Sequence, residues 1–159
     1  MNFKIREGIN SDYIDISNIS IEVHNLHLEN RPDVFRDVNN LLLKEYFEDL
    51  LNSNDKKLFV VENMDNKELV AYCIIRIVTT QSISILISRS IAYVDEFCVK
   101  SNYKKNGIGR LLFKYIIDYA KTEGATSLQL VVWEFNKDAI KFYETMGMST
   151  RNRKIELNL

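Results

Sequence analysis

The spacing of hydrophobic and polar residues along this chain alternates between a helical and a strand-like pattern. Apolar residues three and four positions apart predict four helices, which begin at Ser11 or Asp12, Asn40, Gly109 and Asn136 and end near Leu26, Leu51, Glu123 and Gly147. Short apolar or alternating runs predict strands over Phe3–Arg6, Leu58–Val61, Leu69–Val78, Ile91–Val99, Leu128–Trp133 and Arg153–Leu159. The order β-α-α-β-β-β-α-β-α-β indicates an α/β fold with a mixed, mostly antiparallel sheet.

Composition narrows the class of protein without naming a function. The 159 residues are 46% hydrophobic and 27% charged, which predicts one soluble globular domain over residues 1–159. The net charge of −1 argues against nucleic-acid binding, since phosphate contacts need a basic surface. No apolar run approaches the ~20 residues of a membrane helix, and no signal peptide is recognisable. Two cysteines form no disulfide framework, so a reducing, cytoplasmic location is expected.

One loop departs from this neutral background. The stretch 100–114 has no acidic residue and five basic ones, which are Lys100, Lys104, Lys105, Arg110 and Lys114. Within it, residues 104–110 form a glycine loop that leads into a predicted helix, where unpaired backbone N–H groups favour a phosphate. A tight turn with a solvated basic surface would give the same pattern. The phosphate loop of nucleoside triphosphatases is excluded because its Gly-Lys-Ser/Thr sequence is absent. The dinucleotide fingerprint does not fit either, because Leu112 stands where that motif needs a small residue.

Two motifs make the reading specific. The run Val99-x-x-x-Tyr103-Lys104-x-x-Gly107-Ile108-Gly109-x-x-Leu112 resembles the coenzyme A motif of the GNAT N-acetyltransferase superfamily. The later run Asn136-x-x-Ala139-x-x-Phe142-Tyr143-Glu144-x-x-Gly147-Met148 is similar to a second segment of that family. Lys104 stands where Arg or Gln is usual. The planar guanidinium of Arg binds two oxygens of a diphosphate better than the ammonium of Lys does. The resemblance covers essentially the whole chain and implies the GNAT acyl-CoA N-acyltransferase fold.

The resemblance implies acetyl-CoA as co-substrate, with no metal. Its pyrophosphate is expected on the glycine loop, at Lys104, Lys105, Asn106, Gly107, Ile108, Gly109 and Arg110. Its pantetheine arm is expected along the main chain of Phe97, Cys98 and Val99, with Asn136 touching the arm. Edge strands of such folds often pair across subunits, so a homodimer is also expected.

The resemblance also assigns the chemistry. Tyr143 matches a tyrosine that points at the thioester sulfur, where its hydroxyl stabilises the leaving thiolate. Asp95 or Glu96 is the expected base that takes a proton from the attacking amine, directly or through water. The step Asp95-Glu96-Phe97 resembles the Glu-Asp-Phe step of polyamine acetyltransferases, which favours Asp95. Because successive strand residues face opposite ways, we expect only one of the two acids in a given cleft. Cys98 has no histidine motif beside it, so a covalent mechanism is not expected.

The acceptor side is expected in the first two helices and their joining loop. Residues 12–55 contain ten acids and three bases, a field that would attract a cationic amine, although solvated helix faces give the same count. Residues 31–35 are similar to a loop in a subset of bacterial members, which implies that Pro32 and Phe35 line the acceptor pocket. Of the two histidines in the first helix, His24 and His27, either one borders this pocket, with His27 as the candidate, or both are structural. The chain is therefore interpreted as an acetyltransferase acting on a primary amine of a small molecule or peptide. The alternatives are a non-catalytic CoA-binding sensor on the same fold and an unrelated nucleotide-binding domain.

Overall fold

A computed structural model describes residues 2–39 and 41–159 of the chain. The strands are β1 Phe3–Glu7, β2 Lys56–Asn63, β3 Leu69–Thr79, β4 Ser90–Val99 and β5 Ser127–Leu130. The helices are α1 Tyr13–Asn30, α2 Lys44–Leu51, α3 Ile108–Thr122 and α4 Lys137–Thr145. Single 3₁₀ turns at Asn10–Asp12 and Ser101–Tyr103 lead into α1 and into the glycine loop.

The strands form one sheet in their chain order, from β1 to β5. The first three pairings are antiparallel, and β4 pairs with β5 in parallel across the α3 crossover. This is the mixed, mostly antiparallel sheet that the sequence predicts. β1 and β5 are its two edges.

The sheet separates two layers of core. Alternate residues of β3 point to opposite faces, so that Cys73 and Ile75 pack with α3 while Tyr72 and Ile74 pack with α1 and α2. We call the first side the α3 face and the second the α1–α2 face. Because β3 is covered on both sides, it reads as a nearly continuous apolar run in the sequence.

The parallel pair β4–β5 comes apart before β4 ends. The last paired residues are Val94 and Leu130, whereas β4 continues to Val99. Residues 95–99 of β4 therefore have no β5 partner, and this edge of the strand has backbone groups free for a ligand. The strand predicted through Trp133 ends at Leu130, because Trp133 leaves the sheet to stack on Phe135.

The predicted start of the second helix and the predicted final strand both differ from the structure. The second helix was predicted from Asn40, which lies outside the described residues, and α2 begins at Lys44. The prediction of a final strand over Arg153–Leu159 is wrong, because this segment makes no strand pairing. Its alternating apolar residues are exposed, with Ile155 at 90% and Leu157 at 82%. An alternating pattern forms a strand only where a neighbouring strand is in place to pair with it.

The structure predicts a sharp contrast between two adjacent residues of α3. Leu112 is fully buried against the sheet, whereas Leu111 is 42% exposed. Leu112→Ala should lower the free energy of unfolding by about 2–5 kcal/mol, because it leaves a cavity in the core. Leu111→Ala should cost about 1 kcal/mol or less. Urea unfolding of both variants measures the difference, and equal losses would contradict the described packing of α3.

Candidate active site

A β-bulge in β4 determines where its two acidic residues lie. In the ladder with β3, Glu96 pairs with Ile74 and Val94 pairs with Ile75, so Asp95 is an extra residue with no partner. Such an insertion shifts the alternation of side chains along the strand by one position. Asp95 and Glu96 are consecutive, but the alternation rule does not apply between them.

Both carboxylates consequently bind side chains on the same face of β3. Glu96 accepts a hydrogen bond from the Tyr72 hydroxyl at 2.6 Å. Asp95 accepts two from the Arg76 Nε, at 2.9 and 3.1 Å. Tyr72 and Arg76 are four residues apart on one strand and so share the α1–α2 face. The expectation that only one of the two acids could face a given cleft is therefore wrong.

The two acids differ in their electrostatic surroundings. Asp95 is paired with the Arg76 guanidinium. Glu96 has no ion-pair partner among the described residues, and burial raises the pKa of its carboxyl above the ordinary value near 4.5. The Tyr72 hydrogen bond opposes that rise of the pKa and the charge of Asp95 adds to it. Glu96 thus takes up a proton more readily than an ordinary glutamate, and in the described parts of the chain it has no bound cation to compete with that proton.

The glycine loop has the backbone geometry of an anion site. Gly107 adopts a left-handed conformation with φ of 81°, and a Cβ added there would meet no atom within 4 Å. The first bond of α3 runs from the Leu111 N–H to the Gly107 carbonyl at 2.9 Å. The N–H groups of Ile108, Gly109 and Arg110 precede that bond and have no partner inside the helix. They lie at the positive end of the helix dipole, where a phosphate is stabilised.

The 3₁₀ turn before the glycine loop is tied to distant elements by two acids. Glu68, at the start of β3, accepts a hydrogen bond from the Tyr103 hydroxyl at 2.7 Å and pairs with Lys100. Glu22 of α1 accepts a hydrogen bond from the Ser101 N–H at 2.8 Å. The basic excess seen in the sequence is thus partly neutralised by folding. Lys100 serves to hold the loop and is not available to a ligand.

The loop keeps three cations on its surface. Lys104, Lys105 and Arg110 are exposed and make no ion pair within the described parts of the chain. Gly109 packs closely, since a Cβ there would lie 3.4 Å from Phe142 and 3.7 Å from Val99. The loop therefore lies directly over the end of β4 and the aromatic face of α4.

Tyr143 projects from α4 into an aromatic cluster. Its ring lies 6.3 Å from Phe97, 5.8 Å from Phe113 and 5.4 Å from Phe142, measured between ring centroids. Its hydroxyl makes no hydrogen bond within residues 2–39 and 41–159, so the donor is free. Burial raises the pKa of the phenol. The phenol is therefore able to donate a hydrogen bond to a ligand, but it resists losing its proton.

Asn136 has a structural role at the start of α4. Its side-chain oxygen accepts a hydrogen bond from the Ala139 N–H at 3.3 Å, as expected of an N-cap. It also borders a shallow cavity of about 240 Å³, which is lined by Leu26, Phe135, Asn136, Lys137 and Asp138. The side-chain amide is thus placed at a surface depression while its oxygen caps the helix.

Cys98 is not placed as a nucleophile. Its side chain is buried on the α1–α2 face, and burial raises the pKa of the thiol to about 12. The neighbouring residues Phe97 and Val99 face the opposite side of the sheet. Only the main chain of Cys98 can therefore contribute to the unpaired β4 edge.

His27 and Phe35 belong to a second aromatic cluster. Their rings stack at 5.0 Å, and Phe35 contacts Trp133 at 5.7 Å. Phe135 stacks on Trp133 and lies edge-on to His27. Burial lowers the pKa of His27, with the nearby His24 adding to the effect. Pro32 is exposed.

Sequence reasoning missed several residues of the site. The sequence pattern places Trp133 at the end of a strand and gives Phe135 no role, although two large aromatics two residues apart are a signal for a binding surface. Tyr72 had no local signal, because its hydroxyl meets Glu96 only through the β3–β4 register. Glu68 and Glu22 reach the loop from elements far away in the chain.

Two classes of feature are absent from the described residues. No group of three His, Cys, Asp or Glu side chains in residues 2–39 and 41–159 is arranged to hold a metal ion. No helix in the same parts of the chain is long and apolar enough to cross a membrane.

Comparison with known proteins decides the family. The model of the Acetyltransferase (GNAT) family matches residues 21–148. The chain belongs to this family. The family and the fold expected from the two motifs are confirmed.

Characterised relatives share only part of their length with this GNAT protein. Thialysine N-epsilon-acetyltransferase from Sus scrofa is 33% identical over 55 residues, which are 35% of this chain and 32% of that protein. The [ribosomal protein bS18]-alanine N-acetyltransferase from Salmonella typhimurium is 33% identical over 58 residues, or 36% of this chain and 39% of that protein. The matches thus span about a third of the length of the curated relatives.

Solved structures match the fold over nearly the full chain. A mutant of the BH1408 protein from Bacillus halodurans has a TM-score of 0.96 and 29% identity, covering 98% of this chain and 99% of that one. Glucosamine-6-phosphate N-acetyltransferase from Arabidopsis thaliana has a TM-score of 0.69 and 20% identity, covering 99% of each chain. At that lower identity the likeness shows a common fold alone.

Proposed function

We propose that this GNAT protein, acting as one catalytic domain, transfers the acetyl group of acetyl-CoA to a primary amine of a small molecule or peptide. The observation that carries the proposal is the position of Glu96. This half-buried carboxylate, with its raised pKa, lies on the strand whose unpaired edge leads straight into the glycine loop. The homodimer expected from edge strands stays a prediction.

The residues of the glycine loop fit the pyrophosphate of coenzyme A. Gly107 leaves open space beside the free N–H groups at the start of α3. Lys104, Lys105 and Arg110 add positive charge within about one Debye length, roughly 8 Å. The unpaired edge of β4, at Phe97 to Val99, offers main-chain groups to the pantetheine arm in the manner of an added strand. Acetyl-CoA supplies an activated thioester.

We assign the role of base to Glu96. An amine attacks only after its ammonium form has lost a proton, and Glu96 takes that proton directly or through water. Asp95 is the weaker choice because the Arg76 guanidinium already pairs with it. Asp95 instead adds negative charge that keeps the proton affinity of Glu96 high.

Tyr143 assists the departure of the thiolate. Its free hydroxyl projects from α4 beside Phe97, whose backbone lies on the unpaired edge of β4. Because burial raises the pKa of the phenol, full proton transfer to a thiolate is unfavourable. Tyr143 acts by a hydrogen bond that strengthens as charge develops on sulfur.

The acceptor approaches from the α1–α2 face. Glu96 and Asp95 lie on that side, together with the acidic surface of the first two helices. In this proposal the far part of the approach is lined by His27, Phe35 and the exposed Pro32, and the contact of Phe35 with Trp133 supports adding that ring. Two curated relatives are named for lysine-like and alanine amines, which supports an amine acceptor.

A thiol-release assay tests the function. Acetyl-CoA is offered with a panel of polyamines, aminoglycosides, amino acids and peptides, and free thiol is measured together with the acetylated amine by mass spectrometry. Release that depends on one class of amine is the expected result. Tight CoA binding with no release across the panel would favour the CoA-binding sensor instead.

Comparing Glu96→Gln with Asp95→Asn should show which of the two acids is the base. We expect kcat to fall by about 10²–10³, because the proton acceptor is lost. In the native enzyme, kcat/KM should fall as the pH drops through the raised pKa of Glu96, since protonated Glu96 cannot act. Glu96→Gln should lose this limb of the pH profile. Asp95→Asn should keep the limb and lose less than about tenfold, and the reverse ranking would assign the base to Asp95.

Two glycines of equal conformation provide a matched test of the glycine loop. Gly107 and Gly124 have φ of 81° and 78°, and neither has an atom within 4 Å of an added Cβ. Alanine at either should cost about 1–2 kcal/mol of stability through backbone strain. Only Gly107→Ala should also weaken CoA binding, by about tenfold or more in calorimetric titration. Equal affinities for CoA in the two variants would refute the placement of the pyrophosphate.

Tyr143→Phe should lower turnover more than affinity. Its hydroxyl has no hydrogen-bond partner in the part of the chain that the structure describes, so stability should change little. We expect kcat to fall about 10–100-fold, with the KM for acetyl-CoA changed less than about threefold. A parallel loss through weaker acetyl-CoA binding would contradict the role at the thiolate.

A further inference from the structure

We infer that Tyr72 is the positioning residue for Glu96: its hydroxyl fixes one carboxylate oxygen and leaves the other free for the amine. This inference rests on the proposed function, in which Glu96 is the base. Tyr72 belongs to neither motif that carries the family resemblance, and nothing in its local sequence distinguishes it from a core tyrosine.

The contact between the two residues is short, buried and specific. Tyr72 is 1% exposed on the α1–α2 face of β3, and its hydroxyl donates to Glu96 Oε2 at 2.6 Å. Glu96 Oε1 makes no hydrogen bond within the described residues. One oxygen is thus committed to Tyr72, and the other is the one available to an ammonium or to a bridging water.

The titratable and charged groups around Glu96 show why this bond matters. They come from β3, β4 and α2, and are Tyr72, Cys73, Arg76, Asp95, Cys98 and Tyr46. The one cation among them, Arg76, is bonded to Asp95. Tyr72 is therefore the one side chain in the described residues that donates a hydrogen bond to Glu96.

The Tyr72 hydroxyl acts against the burial of the carboxylate. A hydrogen bond to the ionised form stabilises it, whereas burial and the charge of Asp95 favour the protonated form. The Tyr72 hydrogen bond thus limits the rise of the Glu96 pKa that burial and Asp95 produce. The Cys98 thiol lies beside the same hydroxyl and is held protonated by burial. The Tyr72 hydroxyl has one proton, and it donates that proton to Glu96.

The test uses pH profiles of kcat/KM for native enzyme, Tyr72→Phe and Tyr13→Phe with one amine. Tyr72→Phe should move the acid limb to higher pH. The rate should fall roughly tenfold on that limb and recover to within about twofold at alkaline pH, because only ionisation of Glu96 is impaired. Tyr13→Phe is the control. This substitution removes a part-buried hydroxyl that donates to the Leu42 carbonyl at 2.7 Å. The acid limb of the Tyr13→Phe profile should not move.

Two further measurements separate this inference from the proposed function. The ¹³C carboxyl signal of Glu96, assigned by its absence in Glu96→Gln, should titrate at higher pH in Tyr72→Phe whether or not any amine is acetylated. If Tyr72→Phe does not fold, 3-fluorotyrosine at position 72 retains the hydroxyl as a stronger donor and should move both titrations to lower pH.

Unmoved titrations in these variants, or a uniform loss of rate with an unmoved acid limb, overturn the role of Tyr72. An acid limb that persists in Glu96→Gln overturns the catalytic part of the inference. A native enzyme inactive towards every amine defeats the proposed function and leaves the carboxyl titration to decide the Tyr72–Glu96 contact by itself.

Discussion

One inserted residue in β4 sets the arrangement on both sides of the sheet. Before the bulge at Asp95, Ala92 and Val94 face α3, and after it Phe97 and Val99 do so. The insertion therefore switches the residues that face α3 from even-numbered to odd-numbered positions. A regular strand would carry Glu96 to the α3 face and Phe97 to the other. The bulge allows one strand to cover α3 along its whole length and still present an acid to the α1–α2 face.

The glycine loop depends on the rest of the molecule in a similar way. Its conformation is local, but its position is fixed by Glu68, which immediately precedes β3, and by Glu22 of α1. The two carboxylates connect the loop to the start of β3 and to helix α1. Movement of α1, which borders the acceptor side, is thereby coupled to the segment that precedes α3.

Features that rest on local chemistry could be predicted from the sequence. The glycine step into α3 and Asn136 as a helix cap both follow from residues close in the chain, although α3 begins at Ile108 and the pattern placed its start at Gly109. The bulge, the Tyr72–Glu96 bond and the neutralised Lys100 could not be predicted, because each depends on the register between strands or on elements distant in sequence. The tail failed for a related reason, since Ile155 and Leu157 alternate correctly but no neighbouring strand pairs with them.

The placement of Cys98 has a consequence for the chemical durability of the protein. A thioester acylates exposed thiolates as readily as amines, so an enzyme that handles one exposes its own cysteines to acylation. Cys98 lies on the strand nearest the glycine loop, yet its sulfur points into the opposite core layer and burial raises its pKa to about 12. Cys73 is fully buried, and its thiol is protonated for the same reason. Both sulfurs are thus protected from self-acylation by their position alone.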